Sequence, residues 1–326
     1  MFEVLFITMI KTFVVVGVCM LIVAYLTLAE RRLLGFFQLR LGPNRVGYKG
    51  LLQPIADGAK LFLKEDIVPQ NTVKAVFLLA PIISIAAPMS LLVVIPFGDT
   101  VQIMGREVTL YLANPNAGIL YVLAISSLGA YACMLGGWSS GNKYGYTGGL
   151  RSTAMIISYE LSMAFAVISV IMIANSLSLV EIVKGQAEIW NILRTPVAFL
   201  IFLISGLAEL NRPPFDMPEA EEELCSGFNV EYSSMKFALF FFGEYTHLFV
   251  FGCLVTTLFL GGWHGPLLPG VLWFFIKTFA VIFFCIWVRA TFPRLRYDQI
   301  MKLEWKVMLP LAIFNVLATG LVILII

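Results

Sequence analysis

Charge is the scarcest commodity in this chain: Asp, Glu, Lys and Arg make up 13% of its 326 residues. A soluble domain carries about a quarter, so a water-soluble globular fold is excluded. Histidine is nearly missing, with His247 and His264 alone and 17 positions apart, so no imidazole metal site forms within the chain. The five cysteines (Cys19, Cys133, Cys225, Cys253, Cys285) show no CxxC and no metal-ligand spacing. Four of them fall inside apolar runs, which excludes an iron–sulfur cluster and a structural disulfide. Neither GxGxxG nor GxxxxGK[ST] occurs, so no nucleotide, flavin or haem site is expected and any electron transfer belongs to a partner. Internal repeats and low-complexity tracts are also lacking. The net charge of +2 offers nothing to a nucleic acid.

What is present is apolar length. Hydrophobic residues reach 60%, and about eight runs approach the ~20 residues that cross a bilayer core as a helix. They fall near 5–29, 74–97, 117–137, 153–177, 194–210, 235–261, 270–289 and 306–326. The first lacks a small-residue cleavage site and runs into AERR, so it reads as a retained helix. The expected fold is an all-α integral membrane protein forming one polytopic domain over 1–326. Threading the spans in order gathers 17 of the 22 Lys and Arg on one side. The positive-inside rule then makes that side cytoplasmic and leaves both termini outside.

The inner segments 30–73, 211–234 and 290–305 are dense in charge, Pro and Gly, and function is expected there. From Pro54 the pattern turns helical, with Leu51, Leu52, Ile55, Ala59, Phe62 and Leu63 on one face and Gln53, Asp57, Lys60 and Lys64 on the other. Eleven or so such residues are too few to span, so this is an interfacial amphipathic helix. Most of it serves as a membrane-lying spacer, while Asp57 and Lys60 are free to face a partner or a headgroup.

Residues 208–232 hold seven carboxylates (Glu209, Asp216, Glu219, Glu221, Glu222, Glu223, Glu231) against one cation, Arg212. Like charges this dense favour proton uptake, so the stretch reads either as a solvated acidic loop or as a proton store. Glu219 and Glu223 share a helical face, which requires protonation or outside cations. Arginines of the first and last inner segments are the candidates. Ionisable residues inside apolar spans cost roughly 2.5–3.5 kcal/mol each by insertion scales. Glu30, Glu160, Glu209, Glu244 and Lys277, on five different spans, therefore suggest one polar track, with Tyr159 and Tyr245 beside two of the glutamates.

Four blocks then become specific: AERRLLGFFQLRLGPNRVGYKGLLQPIADGAKLFLKE, LRSTAMIISYE, AELNRPPFDMPEAEEELCSGFNVEYS and RATFPRLRYDQIMKLEWK. Together they resemble the quinone-channel membrane subunit, of the H type, of respiratory complex I, over essentially the whole chain. The resemblance implies a non-redox subunit that forms the membrane end of the quinone chamber in a bacterial inner membrane. It implies no catalytic residue and no cofactor of its own, with quinone as substrate and FMN and iron–sulfur clusters in partner subunits. Those partners are the hydrophilic-arm subunits and the neighbouring membrane-arm subunits, with lipid around them. It implies that Arg31, Arg40, Asp57, Arg212, Arg289 and Arg294 face quinone. It implies that Glu209, Asp216, Glu219, Glu221 and Glu223 form an acidic path, that Tyr159, Glu160 and Glu244 continue it inward, and that Glu30 joins it.

Two departures stand out. A glutamate that some members hold in the third span is missing, the stretch around Ser127 reading LAISSLGAY, and Glu222 is an extra, dispensable charge. Membrane anchors of related hydrogenases or ferredoxin-accepting complexes remain rival readings. An autonomous proton-coupled transporter is a weaker one, because inverted repeats are missing.

Overall fold

Apolar length dictates helices, because a chain in lipid must satisfy every backbone group internally. The computed structural model describes residues 2–103, 106–217 and 227–325. Helix α1 (Phe2–Phe37) opens the bundle and α2 (Gln53–Leu63) lies on its flank with no residue buried, Pro54 sitting in its first turn. Helix α3 (Lys74–Leu91) contains Pro81 and Pro88. A two-stranded hairpin follows, β1 (Thr100–Ile103) antiparallel to β2 (Arg106–Thr109), with Thr100 opposite Thr109. Helices α4 (Gly118–Ser126) and α5 (Leu128–Ser139) share one crossing with a break at Ser127. Helix α6 (Lys143–Ala174) starts where Asn142 Oδ1 accepts from Tyr144 N at 3.0 Å and stops at Asn175 in the left-handed region, φ 50°. The short α7 (Leu179–Lys184) and α8 (Asn191–Arg194) lead into α9 (Pro196–Glu209). Then come α10 (Ser234–Leu258), α11 (Gly270–Thr291), α12 (Tyr297–Leu303), a π-turn (Glu304–Met308) and α13 (Leu309–Ile325).

The all-α membrane reading holds, with a difference in count. Seven helices among the described residues are long and apolar enough to cross a bilayer. The eighth run, α9, has 14 residues and is about 21 Å long at 1.5 Å per residue, short of a ~30 Å core. Protein shelters its C-terminal half, where Ser205–Glu209 are all buried along with Ala198, Ile201 and Phe202, while Val197 and Leu200 stay exposed. Two starts also differ from the sequence expectation. Helix α6 begins ten residues earlier, at Lys143, because Asn142 caps it, and the last crossing begins at Tyr297.

The bundle has two distinct ends. At one, the inner segments are stitched together. Ser233 Oγ donates to Glu65 O at 2.9 Å, Lys236 Nζ pairs with Asp66 at 2.9 Å, and Leu295 N donates to Pro214 O at 3.1 Å. Burial pushes the Tyr232 hydroxyl there up to about 12, so it stays protonated and sits 3.3 Å from Ser139 Oγ. At the other end Lys11 Nζ donates to Thr109 Oγ1 at 3.1 Å, and Gln186 Nε2 to Thr257 O at 2.8 Å.

Lipid tails are as apolar as leucine, so helices must hold each other by close approach and hydrogen bonds. Asn315 Nδ2 donates to Ser169 Oγ at 2.8 Å, and Ser162 and Ser205 meet at 2.9 Å. Helices α5 and α6 approach through glycines. A Cβ built at Gly137 lands on the Gly145 carbonyl oxygen and 3.2 Å from Gly149 Cα.

Candidate functional site

Arg212 is the centre of the charged end. The turn after α9 carries it inward until 2% of its surface is exposed. Its Nη1 donates to Glu30 Oε2 on α1 at 2.7 Å and its Nε to Glu244 Oε1 on α10 at 3.0 Å. The guanidinium carbon lies 4.7 Å from the centre of the Tyr245 ring, a cation–π contact. Glu30 accepts a second guanidinium, that of Arg289 at the end of α11. Burial disfavours the charge on Arg212, but Glu30 and Glu244 more than offset it and move its pKa further up. Arg212 is thus a permanent cation clamped between two carboxylates from helices 214 residues apart in sequence.

Around this fork the other expected residues divide. Asp216 accepts from Arg294 Nη2 at 2.7 Å, so the last inner segment supplies a counter-ion to the acidic stretch. Glu231 accepts from Asn142 Nδ2 at 2.8 Å. Glu209 lies 3.3 Å from His247 Nε2. That contact lacks hydrogen-bond alignment, because Glu209 Oε1 has no hydrogen-bond partner among the described residues. Glu160 lies within electrostatic reach of both Glu209 and His247, and its buried Oε1 also has no partner among them. Tyr159, fully buried, donates to Ile300 O at 3.2 Å. Glu219, Glu221, Glu222, Glu223 and Cys225 lie outside the described residues.

Three residues are not brought to the fork. Arg31 and Asp57 pair at 2.6 Å on the surface, between α1 and α2, while Arg40 is exposed and bonded to Gln38. A solvated pair such as Arg31–Asp57 adds little to stability. Arg31→Gln is therefore expected to shift stability by less than ~1 kcal/mol, read as the thermal midpoint of the detergent-solubilised protein. Lys277 also leaves the expected track. Its Nζ donates to the carbonyls of Leu260, Gly262 and His264 at 2.6, 3.1 and 2.6 Å, at the opposite end of the bundle. Three loop carbonyls satisfy all three ammonium protons, so no carboxylate is needed.

Sequence reasoning gave no role to two titratable groups, the half-buried His247 and the buried Glu304. His247 follows Glu244 by one helical turn, which was the available signal. Glu304 reads as the tail of a charged loop in DQIMKLEWK, but the π-turn rolls it inward to 1% exposure near Tyr159 and Ser162.

The arrangement defines a class: a polytopic membrane protein whose ionisable groups gather in a largely buried acid–base cluster under one charged face. The family model for NADH dehydrogenase matches residues 10–320, and the chain belongs to that family. It is 51% identical over 316 residues to the H subunit of the NADH-quinone oxidoreductase of Syntrophotalea carbinolica, covering 97% of this chain and 96% of that one. The corresponding H 1 subunit of Geobacter sulfurreducens is 52% identical, with coverage of 96% and 94%. The H subunit of Thermomicrobium roseum is 50% identical, with coverage of 95% and 94%. The resemblance read from the four sequence blocks is borne out.

Proposed function

We propose that this chain is the non-redox membrane subunit of a proton-pumping NADH:quinone oxidoreductase, forming the membrane wall of a quinone chamber and coupling quinone reduction to proton movement. Family membership supports the complex, and the observation that carries the coupling is the buried Arg212 fork between Glu30 and Glu244. Electrons reach quinone from an iron–sulfur cluster in a hydrophilic-arm partner, itself supplied from FMN and NADH. This chain's own residues bind, screen and relay. Arg31, Arg40, Asp57, Arg212, Arg289 and Arg294 face the chamber. Glu30, Tyr159, Glu160, Glu209, Asp216, Glu219, Glu221, Glu223 and Glu244 carry protons away from it. The charged end faces the cytoplasm and both termini face outward, following the 17 of 22 basic residues gathered at that end.

Reduction of quinone to quinol adds two electrons and two protons, and a headgroup that has received its electrons but not yet its protons is an anion, which raises the proton affinity of carboxylates near it. One pKa unit is worth about 1.4 kcal/mol, and a unit charge within a few ångströms moves a carboxylate by that much or more. Proton occupancy therefore follows the redox state. Glu209→Gln keeps the size and removes the exchangeable proton. It is expected to slow NADH:quinone turnover and pumping together by about tenfold or more, measured in inverted membrane vesicles with a pH-sensitive dye. Unchanged turnover and an unchanged proton-to-electron ratio remove Glu209 from the path. Mass spectrometry of the complex in mild detergent tests the assembly: a partner bearing FMN is expected, and a nickel–iron partner argues for a hydrogenase anchor.

A further inference from the structure

The two carboxylate clusters of the charged end differ in their cations. Glu30 and Glu244 meet arginines, which never release a proton in the working range. Among the described residues, Glu209 has one cationic neighbour within 4 Å, and it is His247. Imidazole exchanges its proton near neutrality as a class. The ring also sits beside open space, and Glu209 and His247 face two cavities at once. The larger is about 70 Å³, lined by Ser84, Asn211, Asn229 and Glu244 as well as this pair. The smaller is about 20 Å³ and, apart from Ser126 and this pair, apolar. A cavity needs about 10–15 Å³ of such volume to admit a water, so the larger has room for several. Gly129 on α5 also lines the larger cavity, and a Cβ built there would meet His247 Cε1 at 4.0 Å, an ordinary contact.

We propose that His247 carries protons between Glu209 and Glu160, as the exchangeable cation of a carboxylate pair that has no fixed one among the described residues. The reading rests on the proton path described above. Glu209, as the acid, gives its proton to the imidazole and becomes a carboxylate beside an imidazolium. The imidazolium then gives a proton to the Glu160 carboxylate, which lies within its electrostatic reach, and returns to neutral. The three groups hold the same number of protons before and after, and nothing is oxidised. Glu209 from α9, Glu244 one turn back on α10 and the hydroxyl of Ser126 from α4 line a cavity together with His247, and Glu160 from α6 lies within its electrostatic reach.

The test uses membranes holding the whole complex. His247→Gln keeps a polar side chain that cannot exchange a proton, and it should slow NADH:quinone turnover about tenfold or more with a lower proton-to-electron ratio. His247→Ala should fail likewise, and added imidazole should restore it where pyrazole, of the same shape but far less basic, does not. Flavin content of the membranes checks that each variant assembles. Wild-type turnover and stoichiometry in His247→Gln overturn the proposal. So does rescue of His247→Ala by both azoles, since the ring then only fills space, or by neither, since a returned base then restores nothing. If Glu209→Gln is impaired while His247→Gln is normal, the proton path stands without His247. If both are normal, the path itself fails.

Discussion

Replacing Arg212 with methionine should empty the membrane of assembled complex. The side chain is of similar length and suits an apolar interior, so loss of packing is not the main cost. The cost lies in what stays behind. Glu30, 2% exposed, and Glu244 would share a buried site without the guanidinium that joins them, and Arg289 alone at the rim would face both. Breaking a buried pair by removing one partner costs about 3–5 kcal/mol, a large part of the ~5–15 kcal/mol by which domains are stable. Blue-native gels of detergent-solubilised membranes, together with NADH:quinone turnover, provide the measurement. A triple variant separates folding from function. Arg212→Met with Glu30→Gln and Glu244→Gln removes the stranded charges, and is expected to recover assembled complex while remaining inactive. If Arg212→Met alone assembles and turns over normally, the fork is neither structural nor functional. Arg212→Lys keeps the charge but not the fork geometry, and should fall between these outcomes.

The second large effect comes from a single methyl group. At Gly137 an added Cβ meets the Gly145 carbonyl oxygen of the neighbouring helix, a backbone atom that cannot rotate aside. Overpacking in a core usually costs about 1–3 kcal/mol. Here the upper end is expected, because relief requires separating α5 from α6. Gly148 adds a second such contact, with its own Cβ position 2.9 Å from Gly227 Cα, so one displacement reaches the segment that follows the acidic loop. Gly137→Ala should lower the thermal midpoint of the solubilised protein by several degrees, by ~2–4 °C per kcal/mol at this size. Gly137→Leu should leave no assembled protein. Gly17→Ala is the control, since nothing lies within 4 Å of its Cβ position and alanine is the better helix former. Equal destabilisation by Gly17→Ala and Gly137→Ala would show that the close approach of α5 and α6 is not what matters.

Composition made the helical membrane fold readable, because lipid leaves a chain so few alternatives. Hydropathy could not distinguish a helix that faces lipid along its length from one whose C-terminal half is sheltered by protein, so α9 read like the others although it is too short to cross alone. Capping chemistry at Asn142 set the start of α6, and the hydropathy reading weighed apolar runs rather than caps. At the site, residue types were legible and partnerships were not. Arg212 stood out as the one cation among seven carboxylates, yet its partners sit on α1 and α10, 182 and 32 positions away, and only the packing of those helices brings them in. Lys277 shows the opposite error. A lysine in an apolar run resembled a member of the polar track, because backbone carbonyls leave no mark in a sequence. Glu304 was hidden by the π-turn, which adds a residue to the helical turn and so redirects the side chains around it.

The Lys277 staple has a consequence for how the two faces of the bundle come apart. Acid can unfasten the charged end, since each of its ion pairs includes a carboxylate that a proton can neutralise. The carbonyls of Leu260, Gly262 and His264 have no proton to accept at any pH a cell meets. The charged face is held by a clasp that protons can open, the far face by a rivet that they cannot.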